Sequence, residues 1–407
     1  MTSGAFEVRA DEVAGVAVLA TEVGEDSEAA ARFCHEQTQP FGDFGGDIMQ
    51  LLLTPLTAAS DFTHDRMLGL AGTNSRMGVE LNRAAWMYVD QDNRNYDALN
   101  AHAEAAILNP GQYGSTTPAP GPAESFPDPA RYVLPDKINL GEPETAAEDI
   151  RRLIADSAGW LGDVDDAIKA ATNWSPLEQV IKPISGNWNE LKRIGDAYKI
   201  AGEAFDKSAK NLEAGAKQVS DHWNGKAASA FQNYAQLQIE AMKWEAPVGR
   251  VIKAALDRVA EEIKSAAVEA ITNLKEMLED EVRVNDAWDL LKFAVKKIPV
   301  IGNAAQVASI LKIIHDVAER VMKLVDKIRE VVDALKSFLG TLASPSGHFN
   351  EVSESTLAPI TDKVTNMKKK AELIRDVKNA LDAEGPANKP TNDFSVGEGS
   401  DPWAGAV

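Results

Sequence analysis

Apolar residues recur every three or four positions along most of this chain, the period of a helix that buries one face. The first such stretch covers 10–38 and carries Val13, Val16, Ala20, Val23, Ala30 and Phe33. Pro40-Phe41-Gly42-Asp43-Phe44-Gly45-Gly46-Asp47 breaks it. A longer stretch follows with Leu56, Ala59, Thr63, Met67, Leu70, Met77, Leu81, Ala84 and Tyr88. Pro55 is expected to kink or restart that helix, because proline lacks a backbone donor. Together these predict a helical hairpin over 1–109.

Residues 110–143 hold eight prolines, which predicts an extended linker over 110–144 rather than a packed element. Helical patterning resumes at Thr145-Ala146-Ala147-Glu148, which has capping-box spacing. A second hairpin is expected over 145–282. Its first arm carries Leu191, Ile194, Tyr198, Ala201, Phe205, Leu212, Ala216 and Val219. Its second carries Ala227, Phe231, Tyr234, Leu237, Ala241, Trp244, Val248 and Val251, then Leu256, Val259 and Ile263. Pro247 and Gly249 predict a kink between the two sets. The steps of three and four are those of helices packed along their length.

A C-terminal amphipathic region spans 283–384. It comprises a helix over Asp286–Lys297, a long heptad and a more polar last helix over Thr356–Asp382. The heptad reads Leu311, Ile314, Ala318, Val321, Val325, Ile328, Val332, Leu335 and Leu339, flanked every seventh residue by Ile310, Val317, Leu324, Val331 and Phe338. A stripe that wide suits a bundle core. The tail 385–407 is rich in Pro, Gly and Asn and is expected to be disordered. No stretch alternates with period two. The pattern predicts an all-α fold, an elongated bundle of long antiparallel helical hairpins.

Charge narrows the partners. The chain of 407 residues holds 42 basic and 62 acidic side chains. Residues 1–110 hold 6 Arg, no Lys and 17 acidic residues, and so carry −11 of the total −20. Such a surface repels phosphate backbones, which argues against nucleic acid, and this part of the chain also disfavours anionic membranes. The N-terminus lacks the basic and apolar regions of a secretory signal peptide. No apolar run approaches the ~20 residues that a spanning helix needs. One cysteine, Cys34, excludes an intramolecular disulfide.

Catalytic patterns fail one by one. His35-Glu36 has Gln39 where a zinc-protease motif needs His. His64-Asp65 and His315-Asp316 each lack a second His nearby in sequence. Asp90-Gln91-Asp92-Asn93-Arg94 has Asn95 and Ala101 where a calcium loop needs Gly and Glu. There is no phosphate loop and no nucleophile elbow. The expectation is a non-enzymatic chain with no metal and no cofactor.

One short motif stands out by context. Chance alone expects roughly half a Trp-x-Gly match in a chain with this much Trp and Gly. The sequence has three: Trp160-Leu161-Gly162, Trp223-Asn224-Gly225 and Trp403-Ala404-Gly405. Only the second joins two heptad-patterned arms. With Ala227, Ala228 and Phe231 after it, the segment 184–280 resembles the WXG (ESAT-like) family of type VII secretion substrates. In that family a Trp-x-Gly turn links two helices and Ala-Ala-x-x-Phe opens the second. Gly225 suits a tight reversal, and Trp223 suits an apolar cover whose N–H can still reach a partner.

The resemblance implies export with helical partners, through a bipartite signal. The turn, Trp223 and Gly225, is one half. A Tyr-x-x-x-Asp motif at a helix end is the other, and Tyr88-Val89-Asp90-Gln91-Asp92 fits it, with Tyr88 and Asp92 on one helix face. Tyr132-Val133-Leu134-Pro135-Asp136 has the same spelling, but Pro135 forbids a continuous helix. Two such hairpins in one chain are similar to the fused architecture of the ESX secretion-associated protein B family, whose hairpins pack as a four-helix bundle. Here the Pro-rich linker and 145–183 stand between the halves.

The resulting expectation is a secreted or cell-surface protein, exported without a cleavable signal peptide. It would meet the type VII machinery and then a helical partner or further copies of itself. The Lys-rich amphipathic helices after 283 leave a membrane-active protein as one alternative. A secretion or trafficking module of a toxin system is another.

Overall fold

The computed structural model describes residues 7–40, 45–105, 124–144, 169, 175, 178, 182–184, 186–285, 304–343 and 353–382. Seven helices lie among them: α1 (Ala10–Thr38), α2 (Asp47–Ala105), α3 (Trp188–Val219), α4 (Lys226–Asn285), α5 (Ala304–Ala343), α6 (Ala358–Thr361) and α7 (Met367–Leu381). A single 3-10 turn, Lys182–Ile184, precedes α3. The described residues contain no strand, so the fold is all-α. The helix expected over Asp286–Lys297, the capping box at 145–148, nearly all of 149–181, two of the three Trp-x-Gly triplets and the tail after 385 lie outside the described residues.

Two hairpins form the centre. α1 packs on α2, α3 packs on α4, and α1 also packs along α3. The directions follow from the ends. Arg193 near the start of α3 donates to the Gln37 and Gln39 carbonyls at the end of α1, whereas Arg9 before α1 donates its N–H to the His222 carbonyl after α3. α1 and α3 are therefore antiparallel. α5 lies against both α2 and α4, and α7 lies on α4.

The apolar periodicity becomes the core. Every residue named for the α3 arm is buried, as are Val13, Val16, Ala20, Val23 and Ala30 of α1. Val317, Val321, Val325, Ile328, Val331, Val332, Leu335, Phe338 and Leu339 bury the stripe of α5. Leu237 departs from the pattern: it is exposed, and its neighbour Gln238 is buried with its Nε2–H donated to the Leu70 carbonyl at 2.9 Å. A carbonyl of the facing helix takes the position that an apolar step would have filled.

Both interior prolines sit within unbroken helices, Pro55 in α2 and Pro247 in α4. The expected role of Gly249 changes too. A Cβ there would meet the Tyr198 carbonyl oxygen at 2.4 Å, and one on Gly202 would meet the Glu245 carbonyl oxygen at 2.5 Å. These glycines let the α3 and α4 backbones come close.

The Pro-rich stretch is extended over 124–144, yet it is fastened to the bundle as a strap. It crosses α2 first: the Glu124 carbonyl accepts from Trp86 Nε1–H at 2.8 Å and Asn82 Nδ2 at 3.0 Å, and Phe126 N–H donates to Asn82 Oδ1. It then crosses α1, where Ala130 N–H donates to the Asp11 carbonyl at 2.8 Å and Tyr132 O–H donates to Glu12 Oε2 at 3.1 Å. On α3, Asn211 closes a pair of bonds with the backbone of Asp136. Phe126, Tyr132, Leu134, Ile138 and Leu140 lie half-buried against the core. The apolar residues between the prolines are what convert a linker into a strap. Gly15 makes room for it, since a Cβ there would lie 2.3 Å from the Ala130 carbonyl oxygen.

Two glycines give opposite expectations. Gly202→Ala forces a methyl against a fixed backbone, costing about 1–3 kcal/mol, against about 1 kcal/mol gained in helix propensity. Gly69 of α2 has nothing within 4 Å of an added Cβ. Gly69→Ala should therefore stabilise by about 0.5–1 kcal/mol, while Gly202→Ala destabilises by up to about 2 kcal/mol. Urea unfolding midpoints at constant slope measure both.

Candidate functional site at the helical turn

α3 ends at Val219; Ser220 still holds right-handed helical angles, and His222 N–H bonds back to the Val219 carbonyl at 3.0 Å. Gly225 then takes φ 99°, a left-handed angle costly for any side chain, and its carbonyl accepts from Ser229 N–H in the first turn of α4. Trp223 projects inward from this reversal and is 3% exposed. Its ring stacks on Phe231 with centroids 5.5 Å apart, so the Phe of the Ala-Ala-x-x-Phe pattern is the floor under the Trp.

Tyr88 comes to the same place from α2. Trp223 Nε1–H donates to Tyr88 Oη at 3.0 Å, and the rings meet edge to face at 6.2 Å. The residues read from the sequence as two halves of one signal are thus in contact, although a strap and an undescribed segment separate them along the chain. Ala84 and Ala85, small residues one turn before Tyr88, lie partly and fully buried. Asp92 is exposed on α2, one turn beyond Tyr88. The second spelling of the motif, Tyr132 to Asp136, is non-helical and belongs to the strap.

Burial raises the Tyr88 phenol above its ordinary value, and the Trp223 donor works against that rise by favouring the phenolate. A phenol with a raised folded value adds stability that is present below pH 10. That stability is lost as pH climbs through the folded value. Tyr132, Tyr198 and Tyr234 are raised as well, with burial the largest cause in each.

Sequence reasoning missed the third participant. Asn224 bonds to the segment ahead of α1: its N–H donates to the Glu7 carbonyl at 3.0 Å, and its Oδ1 accepts from Glu7 N–H at 2.9 Å. Val8 and Trp223 form a one-rung antiparallel bridge. Nothing local to Asn224 signals a partner more than two hundred positions away.

The fold also brings together histidines that looked isolated. His35 of α1 and His64 of α2 stack with ring centroids 4.4 Å apart, and Asp61 Oδ1 lies 3.8 Å from His35 Nδ1. Stacked rings direct their nitrogen lone pairs side by side rather than toward one point. Among the described residues no group of three or more His, Cys, Asp or Glu side chains is arranged to hold a metal ion. Cys34 is wholly buried, and its thiol is pushed up to about 12, first by burial and then by the Glu245 charge. Such a thiol is a poor nucleophile at neutral pH.

Tyr88→Phe leaves the buried Trp223 N–H without its acceptor and should cost about 1–2 kcal/mol at pH 7. It should also lessen the fall in stability between pH 9 and pH 11, because one raised phenol is gone. Urea titrations of parent and variant across that range give both numbers; an unchanged pH 7 midpoint would contradict the bond. No family model, curated protein or solved structure matches the chain, so the geometry at this end of the bundle is what any account of its use has to rest on.

Proposed function

We propose that this chain is a non-enzymatic helical protein exported by a type VII (ESX) secretion system, and that it acts outside the cell by helical assembly. One observation carries the reading: Trp223 of the Trp-x-Gly turn donates to Tyr88 of the Tyr-x-x-x-Asp motif at 3.0 Å. A signal in two parts requires that both be presented together, and this contact supports that requirement. Asp92, one helical turn beyond Tyr88, and the turn residues Asn224, Gly225 and Lys226 are all exposed and offer polar groups that a receptor can reach. The apolar stripe of α5 is covered by α2 and α4, which favours a bundle core over a membrane-lying face for that helix. No described helix is long and apolar enough to cross a membrane.

The test compares culture filtrates from a host with and without its type VII ATPase, alongside Tyr88→Ala, Asp92→Ala and Trp223→Ala in the intact host. Export should depend on the ATPase and fall at least tenfold in Tyr88→Ala and Trp223→Ala. Asp92→Ala should lose export with no loss of thermal stability, since its side chain is exposed. Normal export of both aromatic variants would remove the assignment.

A further inference from the structure

With Trp223 only 3% exposed, a receptor reaching this end of the bundle meets other groups first. The segment Glu7–Arg9, ahead of α1, lies across the turn. It bonds on both sides of Trp223: Arg9 N–H donates to the His222 carbonyl at 3.0 Å, and Asn224 N–H donates to the Glu7 carbonyl at 3.0 Å. The third bond uses a side chain, from Glu7 N–H to Asn224 Oδ1 at 2.9 Å. Val8 is half-buried against the core opposite Trp223, while Glu7 and Arg9 remain exposed. The arm is also held from the α1 side. Arg9 pairs with Asp11 at 2.7 Å, and Glu12 Oε1 lies 3.8 Å from His222 Nε2. Three backbone or side-chain bonds to one short turn are more than is needed to start a helix, and Arg9 receives no side-chain cap bond at the start of α1.

We propose that Glu7–Arg9 is a third part of the export signal, seated on the Trp-Asn-Gly turn by Asn224. The surface a receptor reads then joins the exposed arm, the exposed turn residues Asn224 to Lys226 and the exposed end of the motif at Asp92. This inference rests on the reading of Tyr88 and Trp223 as an export signal. Tyr88 and Trp223 lie beneath that surface, in contact with each other. Asn224 is a positioning residue for the arm: any side chain with an acceptor at the same place keeps the Glu7 bond, and one without it loses the bond.

The experiment follows export of the full chain with Asn224→Ala, Asn224→Asp or removal of residues 2–8, with Trp223→Ala and Tyr88→Ala as references. Circular dichroism checks that the bundle is folded. The indole N–H resonance of Trp223, assigned with Trp223→Phe, checks that the contact with Tyr88 persists. Asn224→Ala and arm removal should each lower export at least fivefold with helicity retained. Asn224→Asp, which keeps the acceptor, should export within twofold of the parent. If the arm-less chain and Asn224→Ala are exported normally while Trp223→Ala is not, the arm is no part of the signal and the two-part reading stands. If Trp223→Ala and Tyr88→Ala are also exported normally, the underlying reading fails. Should arm removal unfold the bundle, the two Asn224 variants decide: equal export of Ala and Asp overturns the proposal.

Discussion

One buried ion pair sets the alignment on which the rest of the molecule depends. Arg66 of α2 and Glu245 of α4 form two parallel bonds of 2.6 Å, with their side chains 5% and 1% exposed. The guanidinium also lies over the Trp244 ring at 4.9 Å and near the Phe62 ring at 5.3 Å. Burial works most strongly against the charge on Arg66, yet the charged form is favoured overall, with the facing carboxylate the main opposing cause. Such a pair adds little net stability compared with an apolar pair of equal volume, but unpairing it costs about 3–5 kcal/mol. Its consequence is specificity of register. Tyr88 lies 22 positions after Arg66, and Glu245 lies 22 positions after Trp223. The two contacts run in antiparallel order, about 33 Å apart along α2 at the helical rise, the first to α4 and the second to the turn ahead of it. A slip by one turn would break the ion pair and the Tyr–Trp contact together.

The interface between these two helices differs from the others in kind. α1–α2 and α3–α4 meet through small and apolar residues at close range, with Gly24 and Gly78 in the first pair and Gly202 and Gly249 in the second leaving room for the facing backbone. α2 and α4 meet mainly through long polar side chains: Gln238 reaches the Leu70 carbonyl, and Asn74 Nδ2 reaches Met242 Sδ at 3.3 Å. Apolar contacts would tolerate several registers at similar energy. Buried polar groups tolerate one, because each misalignment strands a donor or an acceptor. Glu245 joins the two regimes, since its carboxylate holds α2 while its backbone carbonyl is the atom that Gly202 of α3 approaches.

This division explains what could be read from the sequence. The helices, their hairpin pairing and the buried faces of α1, α3 and α5 follow from periodicity, because burial of one stripe is a local property of a repeating pattern. Gly225 was legible because its backbone angle is a local demand. The Arg66–Glu245 pair was not, since Arg66 sits in an acidic helix with nothing nearby to mark it as buried. Gln238 was hidden for the same reason, as its partner is a main-chain carbonyl that leaves no trace in composition. The strap was hidden because the eight prolines of 110–143, four of them in the strap itself, dominate the composition, whereas the half-buried Phe126, Tyr132, Leu134, Ile138 and Leu140 fasten it to the bundle. The meeting of Tyr88 with Trp223 lay between these cases. Each residue was visible as a motif, and the contact depended on a register that no local pattern encodes.

The start of α1 is where the separate devices converge. Glu12 accepts from Tyr132 of the strap and faces His222 of the turn, Asp11 accepts from Ala130 through its carbonyl, and the arm ahead of them bonds to Asn224. The first turns of one helix thus touch the strap, the turn and the arm within a few residues. α2 is fixed separately, by the ion pair far along its length and by the Trp86 and Asn82 bonds to the strap. The effect is that the Tyr88–Trp223 contact is positioned by restraints it does not itself supply. A single hydrogen bond worth about 1 kcal/mol could not hold two long helices in place. Here it does not have to, and its two residues are left to define the surface above them.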